Sequence, residues 1–149
     1  MMVFALFVIT SITTSAQEIK WMTMDEALAA QKKKPKAIFV DVYTDWCGPC
    51  KMLDKNTFQT KEVADFINKN YYPVKFNAEG NSKVTYKGKT YTNPNFDPNR
   101  KGRNAAHEFT IFLKVQGYPS MYVFDEKGEI KQTIVGFRQP EELLAEFSK

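Results

Sequence analysis

Cys47 and Cys50 stand two residues apart in Trp46-Cys47-Gly48-Pro49-Cys50-Lys51, and they are the only cysteines among 149 residues. Such a pair can cycle between dithiol and disulfide, or give part of a metal site. As a staple it does little, because the entropy a disulfide removes from the unfolded chain grows with loop length. As a metal site it lacks donors. His107 is the only histidine, and one His with two Cys falls short of the four ligands of structural zinc. Thiol redox chemistry is the primary reading; a zinc half-site and an inert disulfide are the alternatives. His107 itself is expected on a helix, at the surface or half-buried.

The pair needs a scaffold. Ala37-Ile38-Phe39-Val40-Asp41-Val42-Tyr43 precedes it as a buried-strand pattern with one acidic interruption, and Met52, Leu53 and Phe58 follow at helical spacing. The dithiol therefore sits at a strand-to-helix turn. Upstream, Thr23 and Glu26 have the spacing of a capping box that opens a helix to about Lys33. Thr60 can cap a further helix with Val63, Phe66 and Ile67 on one face, and Tyr72 to Asn77 reads as a strand. Asn104 to about Lys114 fits a helix with Ala105, Phe109, Phe112 and Leu113 inward. Ser120–Phe124 and Ile130–Val135 make a hairpin around Asp125-Glu126-Lys127-Gly128, and Pro140 sits in the first turn of a last helix. This order predicts an α/β domain over residues 17–149, a central mixed β-sheet with helices on both faces.

Composition agrees with one ordered core: 43% hydrophobic, 14% aromatic and 26% charged residues describe a globular chain rather than a disordered one. Residues 1–16 stand apart. No charged residue precedes Glu18, and the apolar run Met1–Ile12 is too short to cross a bilayer. It fits the core of a secretory signal peptide, with small residues before a cut after Ala16. The expected location is exported, periplasmic or extracellular, with no stable membrane insertion once the signal is removed. In such a compartment disulfides persist.

Residues 79–103 do not fit the sheet-and-helix order. Lys83 to Thr92 resembles a small hairpin turning at Lys87-Gly88, and Asn93 to Asn99 is rich in turn residues. Six cations (Lys83, Lys87, Lys89, Arg100, Lys101, Arg103) face Glu79 and Asp97, a surplus equal to the formal net charge of +4. The segment reads as an inserted, solvated flap. Its interleaved Tyr86, Tyr91 and Phe96 suggest nucleic acid only weakly, and no nucleic-acid motif accompanies them. The better expectation is that this segment borders the site and favours acidic partners, which replacing Lys83, Lys87 and Lys89 by Glu would test.

The Trp46–Lys51 block is similar to the active site of the thioredoxin family. Asp41, six residues before Cys47, stands where that family has a buried aspartate; Lys75 in Val74-Lys75-Phe76-Asn77 matches its buried lysine. Val115-Gln116-Gly117-Tyr118-Pro119-Ser120 matches the segment ending in the family's cis-proline, and Gly136 falls where a glycine follows the last strand. The resemblance covers about residues 20–78 and 104–149. Tyr43, where many thioredoxins have tryptophan, and the 79–103 insertion depart from the pattern.

The resemblance implies a thioredoxin fold with an inserted hairpin excursion, and a thiol–disulfide oxidoreductase. Cys47 would be the nucleophile, at a helix N-terminus that favours thiolate. Cys50, more buried, would resolve the mixed disulfide, and Gly48 and Pro49 would fix the turn between them. Asp41 would accept the Cys50 proton. Lys75 either tunes Asp41 or carries its ammonium to solvent. A cis bond before Pro119 would leave the Tyr118 backbone free to pair with an extended substrate, and Trp46 would flank it.

The Gly-Pro dipeptide resembles the reducing members, so the expected reaction is reduction of disulfide-containing protein substrates, with electrons from a membrane or soluble thiol donor and no cofactor or metal. Three alternatives stay open: an isomerase or oxidant of exported proteins, a metal- or iron–sulfur-binding module, and a peptide-binding chaperone.

Overall fold

The computed structural model describes residues 18–149, so the expected signal segment lies outside it. Chain order sets the architecture. Helix α1 spans Met24–Lys33, with both halves of the Thr23/Glu26 capping box in place. Strand β1 (Ala37–Tyr43) follows, its five inner residues buried. Helix α2 (Gly48–Leu53) runs into a π-helical turn at Asp54–Phe58 and then α3 (Lys61–Asn70). Strand β2 is Tyr71–Asn77. A short hairpin, β3 (Val84–Tyr86) and β4 (Lys89–Tyr91), precedes α4 (Glu108–Phe112). Strands β5 (Ser120–Phe124) and β6 (Ile130–Val135) lead to α5 (Pro140–Glu146).

The main sheet has the order β2-β1-β5-β6. β1 pairs parallel with β2 and antiparallel with β5, while β6 is antiparallel to β5. Two apolar layers cover its faces. Phe39, Leu53, Phe58, Val63, Ile67, Met121 and Leu143 fill one, under α2, α3 and α5. Ile38, Val40, Val42, Val74, Phe109 and Phe124 fill the other, under α1 and α4. β1, central and covered on both faces, reads as a continuous apolar run for this reason.

The hairpin belongs to the second layer, which corrects the solvated-flap expectation. Val84, Tyr86 and Tyr91 are buried there. The Tyr86 hydroxyl donates to the Gly128 carbonyl at 2.7 Å, the Thr85 amide donates to Asp25 Oδ1, and Lys87 pairs with Glu129. Gly128 lies in the β5–β6 turn, beyond Phe124, which pairs with Ile38 near the start of β1. The Lys87-Gly88 turn, both residues at positive φ as a two-residue hairpin requires, therefore sits at the sheet end away from Cys47. Lys87 and Lys89, at that turn, do not form the edge of a flap over the dithiol.

Helix α4 is shorter than its periodicity suggests. The Asn104 side chain bonds to the Asp97 amide and carbonyl and to the Ala105 amide, so it holds a loop instead of a helical turn. The helix starts only after His107, whose Nδ1 accepts from the Phe109 amide. His107 is fully buried, not superficial, and its ring also bonds the Ser82 carbonyl. Phe112, expected inward, is 40% exposed.

Candidate active site

Cys47 and Cys50 are joined in a disulfide with Cα atoms 5.3 Å apart. β1 delivers them: after Tyr43 the chain turns, the Cys47 amide donates to the Thr44 carbonyl, and Cys47 becomes the N-cap of α2. The Cys50 amide donates to Cys47 Sγ at 3.2 Å. An N–H at a helix start, pointed at sulfur, stabilises negative charge there. Pro49 sits in the first turn, where its missing N–H costs nothing. Gly48 is exposed and a Cβ there would meet nothing within 4 Å, so the loop leaves open space beside the sulfurs. One expectation needs correcting: Cys50 is not the more buried, since each cysteine is 3% exposed. Position relative to the helix end distinguishes the two sulfurs; exposure does not.

Asp41 and Lys75 come together by register. They are paired residues on parallel strands, and Lys75 Nζ lies 2.6 Å from Asp41 Oδ2. Asp41 shares a strand face with Phe39, hence faces the layer that holds Leu53 of the cysteine helix. Burial pushes its carboxyl up to about 6, against the opposing pull of Lys75. Its Oδ1 has no hydrogen-bond partner. Lys75 also bonds Asp54, one turn beyond Cys50 on the same helical run. Burial works to lower the Lys75 pKa, and the two carboxylates outweigh it and hold it raised. The ammonium thus does not simply extend to solvent. It also lies 5.0 Å from the centre of the Tyr43 ring and 5.1 Å from that of Trp21. A cleft of about 520 Å³, lined by Trp21, Asp54, Phe58, Gln59 and Lys75 among others, reaches this group from solvent.

The Tyr118–Pro119 peptide is cis, at the start of β5. Since Ser120 pairs with Val42 near the end of β1, it shares the dithiol's end of the sheet. The Tyr118 ring meets the Trp46 ring edge-on at 5.8 Å. Trp46 is 37% exposed and its indole N–H donates to Glu79 Oε2 at 2.9 Å. All nine residues singled out in the sequence thus cluster around one end of β1. Three further residues touch this cluster. Asp54 carried a signal, four residues past Cys50 in a helical pattern. Glu79 and Arg103, which contact Trp46, carried only their place in the charged segment expected beside the site. Among the described residues, no group of three His, Cys, Asp or Glu side chains is placed to hold a metal.

A family model described as a thioredoxin-like domain matches residues 24–149. The thiol:disulfide interchange protein DsbD of Pectobacterium atrosepticum is 28% identical over 123 residues, 81% of this chain and 18% of that protein. The chain spans at most 18% of the length of the curated DsbD relatives it matches. Among solved structures, a disulphide-isomerase candidate from Bacteroides thetaiotaomicron superposes with a TM-score of 0.63 at 27% identity, covering 90% of this chain and 93% of that one. The oxidised C-terminal domain of Neisseria meningitidis DsbD matches with a TM-score of 0.56 at 20% identity, covering 86% and 97%, and speaks to the fold alone.

Proposed function

The chain belongs to the thioredoxin-like domain family, with its thiol–disulfide exchange site at Cys47 and Cys50, and we propose that it reduces disulfides of exported proteins. The observation that carries this reading is the Cys47–Cys50 disulfide at a helix start, with the Cys50 amide on Cys47 Sγ and a buried Asp41 in the facing layer.

In the reduced protein the Cys47 thiolate attacks one sulfur of the target disulfide. A Cys47–substrate disulfide forms and the target's other sulfur leaves as thiolate. The Cys50 thiol then gives its proton to Asp41, attacks Cys47 Sγ and expels the second substrate sulfur. Two electrons pass to the target, and Cys47–Cys50 is left as the disulfide. Asp41 suits the proton step because its pKa of about 6 lies near neutral pH. Lys75 keeps it from rising further, and the cleft beside Asp54 lets the proton reach water. Tyr118, Pro119 and Trp46 line the approach; Gly48 and Pro49 leave it open. A membrane or soluble thiol donor reduces the pair again.

Export rests on the sequence of residues 1–16. Among the described residues, no helix is long and apolar enough to cross a membrane.

The likeness to a disulphide-isomerase candidate at 27% identity favours a second reading, disulfide reshuffling without net electron transfer. The reduction potential of the Cys47–Cys50 couple separates the two. A couple near the thioredoxin value of about −270 mV supports a reductant, and one near about −180 mV supports the isomerase.

A further inference from the structure

One oxygen of Glu79 ties the inserted segment to the dithiol. Glu79 Oε2 accepts from the Trp46 indole N–H at 2.9 Å and from the Asn104 amide at 2.8 Å. Arg103, the residue before Asn104, lays its guanidinium over the Trp46 ring, 4.4 Å from the centroid. Trp46 in turn precedes Cys47. The loop that carries Arg103 has a fixed shape. Asn104 bonds both the amide and the carbonyl of Asp97, and the Asp97 carboxylate turns inward to the Asn99 amide. Arg100, Lys101 and Arg103 are all exposed, and none of the ion pairs among the described residues engages them. On this rim the neighbouring carboxylates are Glu79, which keeps its charge while Oε2 takes two neutral N–H donors, Asp97, which accepts from the Asn99 amide, and the exposed Asp45, which accepts from Asn77; none of them forms an ion pair with Arg100, Lys101 or Arg103. A guanidinium stacked on an indole keeps its N–H edge free for a carboxylate.

We propose that the 97–104 loop, latched to Trp46 through Glu79, is a cationic selector that favours target disulfides flanked by acidic residues. It rests on the thiol–disulfide reading above and adds a substrate class to it. The basic surplus of the insertion divides in two: Lys87 and Lys89, at the hairpin turn, lie at the far end of the sheet, while Arg103 stacks on the residue before Cys47, with Arg100 and Lys101 exposed on the same loop. Charge so placed acts mainly on encounter, raising the association rate of oppositely charged targets and fading as salt screens it.

The test compares two cystine peptides of one sequence, flanked by Glu or by Lys, with bis(2-hydroxyethyl) disulfide as an uncharged control. The fully reduced protein is expected to reduce the Glu peptide about ten-fold faster than the Lys peptide at low salt. The preference is expected to shrink towards unity in about 0.5 M NaCl. The double variant Arg100→Glu, Lys101→Glu is expected to abolish the preference while the rate on the uncharged disulfide stays within about two-fold. Equal rates on the two peptides, or a preference that survives charge reversal, would overturn the proposal. A second arm follows the Trp46 indole N–H by NMR in the oxidised protein as a cysteine-free Glu-rich peptide is added. If that peptide binds the native protein and not the double variant while no disulfide is turned over, the selector stands and the redox reading falls. If disulfides are reduced without regard to flanking charge, the redox reading stands and the selector falls.

Discussion

Lys75 and Asp41 sit opposite each other on parallel strands, and the lysine reaches on to Asp54, so one ammonium joins the sheet to the helix that carries Cys50. The proposed mechanism gives this buried carboxylate the Cys50 proton, and Lys75 and Asp54 help set its affinity. Asp41→Asn is expected to slow resolution of the Cys47–substrate disulfide by about 100-fold near pH 7, the lower end of what a positioned base contributes. Rapid-mixing measurement of mixed-disulfide decay checks it; an unchanged rate would remove Asp41 from the proton path.

The same substitution should stabilise the fold. With a carboxyl held at about 6 against an ordinary 3.8, the folded protein binds a proton more readily than the unfolded chain. Stability therefore falls as pH rises from about 4 to about 6 and stays lowered above that, by roughly 3 kcal/mol for two pKa units. Denaturant unfolding of the oxidised protein should show Asp41→Asn gaining stability over the native protein at about pH 8 and little or none at about pH 4.

Lys75→Met removes the cation that lowers the Asp41 pKa and leaves burial unopposed. The acid limb of the pH–rate profile for mixed-disulfide resolution is expected to move up by about one unit or more. Asp54→Asn, which leaves the Lys75–Asp41 pair intact, should move it less. A profile that ignores both changes would mean Asp41 does not govern that limb.

Much of this was legible in the chain. The Thr23–Glu26 box, the β5–β6 hairpin and the Pro140 helix start depend on residues within a few positions of one another, and all formed as read. The hairpin at Lys87-Gly88 was visible from its turn, but three-residue strands are too short to show alternation, so the burial of Tyr86 and Tyr91 was not. The late start of the helix within the 104–114 pattern was hidden because Asn104 bonds Asp97 and Ala105 instead. Asp54 and Glu79 acquire meaning only through Lys75 and Trp46, 21 and 33 residues away, and periodicity carries no such information.

The hairpin's place in the core has an energetic consequence. Tyr86→Phe loses one buried hydrogen bond to Gly128 and should cost about 1–2 kcal/mol. Tyr86→Ala also opens a cavity among Phe109, Phe112 and Phe124 and should cost about 3–5 kcal/mol. Denaturant midpoints measure both. Loss of activity without loss of stability would return the hairpin to the role of a flap over the site.

Two glycines near the site should respond in opposite ways. Gly48 has open space and no left-handed backbone, so Gly48→Ala should leave stability within about 0.5 kcal/mol. Gly136 has φ of +90°, and its amide donates to the Pro119 carbonyl. Gly136→Ala should cost about 1–2 kcal/mol. Thermal unfolding of the two variants side by side decides it.

The most direct test is alkylation of the fully reduced protein across pH, with mass mapping of which sulfur is labelled first. Cys47 should react first, with its rate rising at lower pH than that of an ordinary free cysteine. Preferential labelling of Cys50, or a Cys47 that reacts no faster than an ordinary free cysteine at every pH, would contradict the account.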